Sequence, residues 1–177
     1  MSKILKLKSW HVFGVMIILP VLFVLFGVVI SKLTGIMILS PLLSFFGVLI
    51  MMITYYGWIW VAGTVTHQQG GQDNPLKLNV FRILFLLALL FLVILTPILR
   101  TSLKAEDLFL ADAVQLIAVV SFFYCIYFVS KSLRMIEEQR GLKSGYLFLD
   151  FFLIWILPIG IWVIQPRMNK VLSVEDK

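Results

Sequence analysis

Asp150 is the ionisable residue whose surroundings point most directly to chemistry. It lies near the start of an apolar stretch, residues 146–164. A carboxylate in such a stretch needs a cationic partner, a bound proton or access to water. Asp150 is therefore either part of a proton or ion path or an interfacial residue that helps to stop the helix from crossing the membrane. The cations that could pair with it are Arg134, Arg140 and Lys143.

Three further candidate functional residues lie in or directly after this stretch. They are Pro158, Gly160 and Arg167. A proline and a glycine two residues apart interrupt a regular helix, and membranes tolerate such a break where it is buried or lines water. Pro158 and Gly160 therefore predict a bend or a reversal of the chain.

The rest of the sequence offers no catalytic pattern. Motifs of phosphate-binding loops, zinc proteases, serine hydrolases and zinc clusters are missing. Near His67 in the sequence, Asp73 is the only other residue of a type that binds metals. The single cysteine, Cys125, lies in an apolar run, which makes it a core or lipid-facing residue. We therefore expect no enzyme activity, no metal site and no cofactor.

Composition indicates a membrane protein. Hydrophobic residues make up 61% of the 177 residues and charged residues only 14%, a balance that soluble domains do not have. The net charge of +6 arises from Lys and Arg at the ends of apolar runs, where they meet lipid headgroups. The lipid bilayer is thus the expected partner, and no nucleic acid is predicted.

Four apolar stretches are long enough to cross the bilayer as helices. They cover residues 10–30, 36–62, 80–99 and 113–129. Pro20 is expected to kink the first helix. The polar segment 64–79 predicts an exposed loop.

Two groups of side chains predict how the second helix is placed. Its small residues lie three or four positions apart and allow a close helix contact: Ser40, Ser44 and Gly47. Its last turns are aromatic and predict the headgroup boundary: Tyr55, Tyr56, Trp58 and Trp60.

The helical pattern of the fourth stretch continues into a cytoplasmic projection, residues 130–145. Gly141 is expected to end that helix as a C-cap. The projection and the tail, residues 165–177, are the surfaces through which we expect a partner to bind. The candidate partner contacts are Arg134, Glu137, Glu138, Arg140 and Lys143.

The positive-inside rule bears on whether residues 146–164 cross the membrane. If they do, nine Lys and Arg are cytoplasmic and six are not; if they re-enter or lie at the interface, the numbers are twelve and three. The rule favours the second arrangement, with both termini cytoplasmic. The sequence therefore predicts an all-α, polytopic membrane helical bundle of four transmembrane helices plus a C-terminal re-entrant or interfacial element, forming a single domain. Five spans are the alternative.

Residues 151–170 resemble the C-terminal segment of small four-span membrane proteins of Bacteroidota. The run is FFLIWILPIGIWVIQPRMNK. Some proteins of this kind are encoded beside phage-defence systems, including the membrane accessory proteins of type VI-B CRISPR loci. The resemblance implies a location in the bacterial inner membrane and a role next to such a system. The R-x4-6-H pattern of defence nucleases is missing, so RNA cleavage is not expected.

Two functions remain open from the sequence. The first is a non-enzymatic accessory or scaffold protein that binds a membrane or soluble protein through the projection and the tail. The second is a homo-oligomeric pore or envelope-disrupting effector, which would have to enclose a polar path between several copies. The apolar spans favour the accessory role, because they lack the polar stripe that a conducting pore needs.

Overall fold

A computed structural model of the chain describes residues 7–70, 75–102, 104 and 108–173. All regular secondary structure in these residues is helical. Four long helices are α1 (Ser9–Thr34), α2 (Leu39–Gln69), α3 (Leu78–Ser102) and α4 (Leu108–Gln139). Two shorter ones follow, α5 (Leu147–Trp155) and α6 (Leu157–Ser173). The predicted all-α membrane bundle is confirmed, because α1 to α4 are the helices in the described residues that are long and apolar enough to cross a membrane.

The helices belong to two compact units. The terminal unit contains the chain up to Ala62 and again from Phe148, and the central unit contains Gly63–Leu147. α1, most of α2, and the pair α5 and α6 are thus in the terminal unit. The last turns of α2 belong with α3 and α4 to the central unit. Asp150 and its neighbours therefore lie in the terminal unit, and the candidate partner contacts lie in the central unit.

Two prolines inside the long helices are preceded by a wider helical turn. A proline has no N–H for the carbonyl four residues earlier, and its ring collides with that carbonyl in a regular α-helix. In α1, Gly14–Ile18 form a π-turn just before Pro20. In α3, Leu90–Leu95 form one before Pro97. A π-turn contains one extra residue, which relaxes this collision. The kink predicted at Pro20 is therefore accompanied by a local change of helix type.

Glycines bring α1 and α2 into close contact. Gly35, with a φ of 72°, adopts the left-handed conformation that ends α1. A Cβ at Gly47 would lie only 2.9 Å from the carbonyl oxygen of Pro20, and one at Gly27 would lie 3.3 Å from Cα of Ser40. The close contact predicted from the small residues of α2 is therefore confirmed, and a glycine of α1 contributes to it.

Aromatic rings form the core of the central unit. Phe81 of α3 stacks on Phe128 of α4 with ring centroids 4.6 Å apart, and both side chains are fully buried. The Phe81 ring occupies the place that a side chain at Gly63 would need, so a glycine allows α2 to approach α3 here. The buried thiol of Cys125 lies 3.9 Å from the Phe81 carbonyl oxygen. Cys125 is thus a core residue.

α2 is longer than the sequence predicted. The segment 64–79 has the composition of an exposed loop, but α2 continues to Gln69, and Thr66 is only 3% exposed. The expectation was wrong because a threonine hydroxyl can bond within its own helix, which lets a polar side chain continue a buried helix. His67 consequently lies on a helix. Residues 71–74 of the predicted loop lie outside the described residues.

α4 is one continuous helix that runs from the predicted fourth span into the projection. Gly141, with a φ of 65°, follows its end. The N–H of Leu142 donates to the Glu137 carbonyl at 2.8 Å, and the N–H of Gly141 donates to the Glu138 carbonyl at 3.1 Å. These two bonds form a Schellman motif. The C-cap predicted at Gly141 is confirmed.

The contact between α1 and α2 yields a test with an internal control. Replacing Gly47 by alanine should lower the free energy of unfolding by about 1–3 kcal/mol, because the added methyl meets backbone of α1 that cannot move aside. The measurement is unfolding of the purified protein in detergent.

Gly57→Ala is the matched control in the same helix, because a Cβ at Gly57 meets nothing within 4 Å. It should leave stability unchanged or raise it by up to about 1 kcal/mol, since alanine favours helix. Equal destabilisation by the two substitutions would contradict the packing described for α1 and α2.

Candidate functional site: the C-terminal helical hairpin

α5 and α6 form a helical hairpin. In one straight helix the Cα atoms of Asp150 and Arg167 would be roughly 25 Å apart, because each residue adds ~1.5 Å. Instead, the guanidinium of Arg167 bonds the carboxylate of Asp150 through two nitrogens. The chain therefore reverses direction between the two helices, at Ile156.

Gly160 makes the reversal possible. A Cβ at this position would collide with the backbone carbonyl of Leu153 in α5, so a larger residue would force the two arms apart. Pro158 lies in the first turn of α6, where its missing N–H costs no helical hydrogen bond. The bend or reversal predicted from Pro158 and Gly160 is thus a reversal.

The Asp150–Arg167 ion pair connects the two arms of the hairpin. Nη1 and Nη2 of Arg167 donate to separate carboxylate oxygens, with 2.9 Å between Nη2 and Oδ2. The Asp150 side chain is fully buried, and that of Arg167 is 21% exposed. The two-point contact compensates for the loss of water around the carboxylate. The expectation of Arg134, Arg140 or Lys143 as partner was wrong, because the reversal brings Arg167 to Asp150.

This geometry bears on the two roles considered for Asp150. Its carboxylate also lies in the first turn of α5, where the helix dipole favours a negative charge. Both surroundings hold the charge at one place inside the protein. The arrangement favours a structural connection between the arms over a proton or ion path.

Tyr55 of α2 satisfies the carbonyl groups at the tip of the hairpin. The last carbonyls of a helix have no partner within that helix. The Tyr55 hydroxyl lies 3.1 Å from the Trp155 carbonyl oxygen and 3.3 Å from that of Ile154, and it donates to this pair. In an apolar environment such carbonyls would otherwise remain unsatisfied at a high free-energy cost.

Gln165 of α6 joins the hairpin to α2 and to Leu7, which lies just before α1. Its side chain is fully buried. The amide oxygen accepts from Nε1 of Trp58 at 2.8 Å, and the amide nitrogen donates to the Leu7 carbonyl at 3.0 Å. Asn169, one turn further on, donates to the same carbonyl at 3.2 Å. These three bonds fix α6 against α2 and against Leu7, which precedes α1.

The segment that the sequence assigned to a tail is part of this packing. Residues up to Ser173 are helical in α6, and Met168 and Val171 are almost fully buried. They belong to the fold of the terminal unit, so they do not present a free binding surface. Residues 174–177 of the predicted tail lie outside the described residues.

The hairpin packs beside the first half of α1. The rings of Phe13 and Trp162 have centroids 5.6 Å apart. The tip borders a cleft of about 320 Å³ that Met16 of α1 also lines. The cleft is completed by α2 and by the tip itself: Met51, Met52, Tyr55, Tyr56, Trp155 and Pro158. Because α1 continues well beyond Met16 to Thr34, the hairpin turns back partway along α1.

Helix lengths agree with a hairpin that does not cross the bilayer. α5 has nine residues. At ~1.5 Å per residue it is about 14 Å long, roughly half of the ~30 Å hydrocarbon layer. The open end of the hairpin lies near the start of α1, because Gln165 and Asn169 of α6 contact Leu7. The geometry therefore favours the re-entrant arrangement over a fifth span.

The candidate partner contacts in the central unit differ in exposure. Nε of Arg134 donates to Glu138 at 2.7 Å, and their side chains are 43% and 50% exposed. Lys143 is exposed, and Arg140 is half-buried. Glu137 is only 2% exposed, so its carboxylate belongs to the interior and not to the surface that the sequence predicted.

Three members of the site were not predicted from the sequence: Tyr55, Trp58 and Gln165. The aromatic cluster predicted a headgroup boundary, but Trp58 is 2% exposed and bonds Gln165 inside the terminal unit. A buried indole or phenol needs a hydrogen-bond partner, and this need was the available signal. The identity of the partner could not be read from positions so far apart in the sequence.

No family model matches the chain, and neither a curated protein nor a solved structure is significantly similar to it. The resemblance of residues 151–170 therefore stays a prediction. Within the described part of the chain, no three His, Cys, Asp or Glu side chains are grouped so that they could hold a metal ion.

The ion pair of the hairpin can be tested against an exposed pair in the same protein. Asp150→Ala should destabilise the protein by about 3–5 kcal/mol, because it removes the carboxylate that binds the Arg167 guanidinium at two points in a largely buried place. Asp112→Ala removes the partner of Arg100, whose contact is exposed. This control should cost at most about 1 kcal/mol. Unfolding in detergent measures both, and similar small effects would contradict the role of the Asp150–Arg167 pair as a structural connection between the arms.

The side on which the hairpin ends can be tested by cysteine labelling in intact membrane vesicles. In a Cys125→Ser background, single cysteines at Lys8 and Lys170 should react with an impermeant reagent from the same side. A cysteine at Ile36, in the connection between α1 and α2, is the control and should react from the other side. Labelling of position 170 together with position 36 would indicate a fifth span instead.

Proposed function

We propose that this protein is a non-enzymatic integral membrane accessory or scaffold protein, which binds a protein partner at the end of α4. The observation that carries the proposal is the continuation of α4 beyond its apolar part into a fixed, charged end. We call this surface the α4 end and define it as Lys131–Gly145. Its fixed geometry suits a docking surface, because a rigid surface loses little conformational entropy on binding.

Contacts within the central unit support this rigidity. Nε2 of Gln139 donates to the Gly70 carbonyl at 3.3 Å, and Arg140 donates to Oε1 of Gln69 at 3.4 Å. The buried side chains of Leu133 and Ile136 anchor the same turns. The Schellman motif at Gly141 then fixes where the helix stops.

The charge of the α4 end indicates the kind of partner. Four cations stand against two carboxylates, one of which, Glu137, is buried. Glu138 is held by Arg134 and also accepts from the Ser144 hydroxyl at 3.4 Å. The exposed surface is therefore basic on balance, and an acidic patch on a partner protein fits it.

The proposed location is the bacterial inner membrane, with both termini in the cytoplasm. The distribution of Lys and Arg supports this orientation. The reversal between α5 and α6 supports it too, because it returns the chain to the side where α1 begins. A link to phage defence belongs to the proposal only through the resemblance of residues 151–170.

A homo-oligomeric pore or envelope-disrupting effector is the second candidate. It is favoured by the polar cluster where α3 ends and α4 begins, in which Arg100 contacts Asp112 and donates to Gln115 at 2.9 Å. In a ring of copies, such a cluster could form a charged mouth. The hairpin gives this candidate less support, because its buried polar side chains bond one another.

Site-specific crosslinking in the native membrane tests the accessory role. A photoreactive crosslinker at Lys143 should yield one partner protein in stoichiometric amounts. The same crosslinker at Lys104, in the connection between α3 and α4, is the control and should not. Changing Lys143 to glutamate should reduce copurification of that partner roughly tenfold, because a basic contact becomes a repulsive one.

Two results would contradict the proposal. One is recovery of the gently extracted protein as a ring of identical subunits without another component, which would favour the pore. The other is equal crosslinking from positions 143 and 104, which would mean that the α4 end has no special role.

A further inference from the structure

The reversal between α5 and α6 leaves a place beside α1 and α2 that a fifth span would fill. Gly47 of α2 lies against Pro20 of α1. Ser40, earlier in α2, lies near Gly27, later in α1, so the two helices run in opposite directions. Tyr55 marks the level of the hairpin tip on α2, because it bonds the last carbonyls of α5. Beyond that level, α1 and α2 continue without the hairpin.

The cleft of about 320 Å³ at the hairpin tip, which we call the tip cleft, lies in this place. Met51 and Met52 line it and precede Tyr55 by about one turn of α2. Trp58, which follows Tyr55, bonds α6 nearer the open end of the hairpin. Met51 and Met52 therefore lie beyond the tip, on the side away from the open end, and Met16 of α1 faces the same space.

The tip cleft lies at the depth of the hydrocarbon layer. α1 has 26 residues, so it is about 39 Å long and exceeds the ~30 Å hydrocarbon layer by roughly 9 Å. Met16 lies about 10 Å along the helix from its start at Ser9. Even if the whole excess projected at this end, Met16 would lie inside the hydrocarbon. The molecules that surround the tip cleft are therefore lipid chains.

The lining of the tip cleft suits a hydrocarbon guest. None of the described residues that line it is charged, and three of them are methionines: Met16, Met51 and Met52. Methionine is unbranched and flexible, so it adapts to a guest of variable shape. An apolar cavity stays free of water and takes up apolar molecules, which restore the contacts that an empty space lacks.

The size of the tip cleft favours the end of a single chain over a protein helix. A helix in a groove is anchored by side chains at positions i, i+3 or i+4 and i+7, which span ~10 Å. α2 lines the tip cleft only between Met51 and Tyr56, a distance of ~7.5 Å. Trp155 and Pro158 of the hairpin tip border the same space. A short cleft beside the tip fits a narrow guest.

The two ends of the protein that the structure does not describe are unsuited to this place. Residues 1–6 and 174–177 include charged side chains, and a charge in the hydrocarbon layer is costly. These side chains are Lys3, Lys6, Glu175, Asp176 and Lys177. A lipid chain enters the tip cleft without that cost.

We propose that the tip cleft holds the end of one hydrocarbon chain of a bilayer lipid. The chain packs against Met51 and Met52 of α2 and against Trp155 of the tip. It supplies beyond the reversal the apolar contacts that a fifth span would otherwise give to α1 and α2. This site does not depend on the accessory function.

Photolabelling in a bilayer tests the proposal. The full chain is placed in vesicles of phosphatidylethanolamine and phosphatidylglycerol with a small share of a phosphatidylcholine that carries a diazirine near the end of one acyl chain. Adducts are located by peptide mass spectrometry in the Ile53→Met variant, so that methionines are compared with one another. Ile53 neighbours Met52 at the same depth and is 64% exposed, whereas Met51 in the cleft is 38% exposed.

Labelling of Met51 and Met52 should exceed that of position 53 at least about fivefold, because a held chain keeps contacts that a surrounding lipid exchanges. In the wild-type background, Met52→Phe should then lower the labelling of Met51 roughly fivefold, since the larger ring takes the space of the chain. Ile53→Phe is the matched control and should leave the labelling of Met51 unchanged.

Three results would overturn the proposal. Labelling of Met51 and Met52 at or below that of position 53 would mean that lipids only surround the protein. Unchanged labelling of Met51 in folded Met52→Phe would mean that the chain is not in the cleft. Crosslinks from a photoreactive residue at position 52 to a second copy or another protein, in place of lipid, would assign the cleft to a protein. The first comparison leaves every cleft residue intact, so it decides the question even if Met52→Phe does not fold.

Discussion

The absence of water in the bilayer is the constraint on which the terminal unit depends. Every backbone carbonyl that leaves a helix there needs a partner from the protein. The break between α5 and α6 exposes carbonyls that a continuous helix would have used. Tyr55 of α2 compensates for two of them through its hydroxyl group. The reversal is therefore stabilised by its contact with α2, which links the packing of the helices to the path of the chain.

The ion pair and the glycine determine the same reversal at two distances from the tip. Gly160 sets how closely the arms approach near the tip, and Asp150 with Arg167 sets their alignment at the open end. A buried ion pair adds little net stability compared with apolar side chains of similar size, because desolvation offsets most of the attraction. We expect its effect to be on specificity, since another alignment of the arms would separate the buried Asp150 carboxylate from Arg167.

Local signals in the sequence were sufficient for the helices and insufficient for the site. The four long helices follow from the length of the apolar stretches, and the end of α4 follows from one glycine, Gly141. The partner of Asp150 could not be predicted, because it depends on a reversal that brings residues 17 positions apart into contact. The extension of α2 was missed because Thr66 is polar by composition yet buried in the fold. Composition reports the average environment of a segment, and these positions depart from that average.

The protein has two aspartate–arginine ion pairs that differ in their consequences because they differ in burial. Asp150–Arg167 and Asp112–Arg100 each join a carboxylate to a guanidinium, but the first carboxylate is buried and the second is exposed. Where water is excluded, the pair constrains the fold, because solvent cannot replace either partner. Where water remains, the same groups can exchange their partner for solvent or for another protein. Surfaces of this protein that recognise other proteins are therefore expected among its exposed charges at the helix ends, whereas the polar groups inside the hairpin serve its architecture.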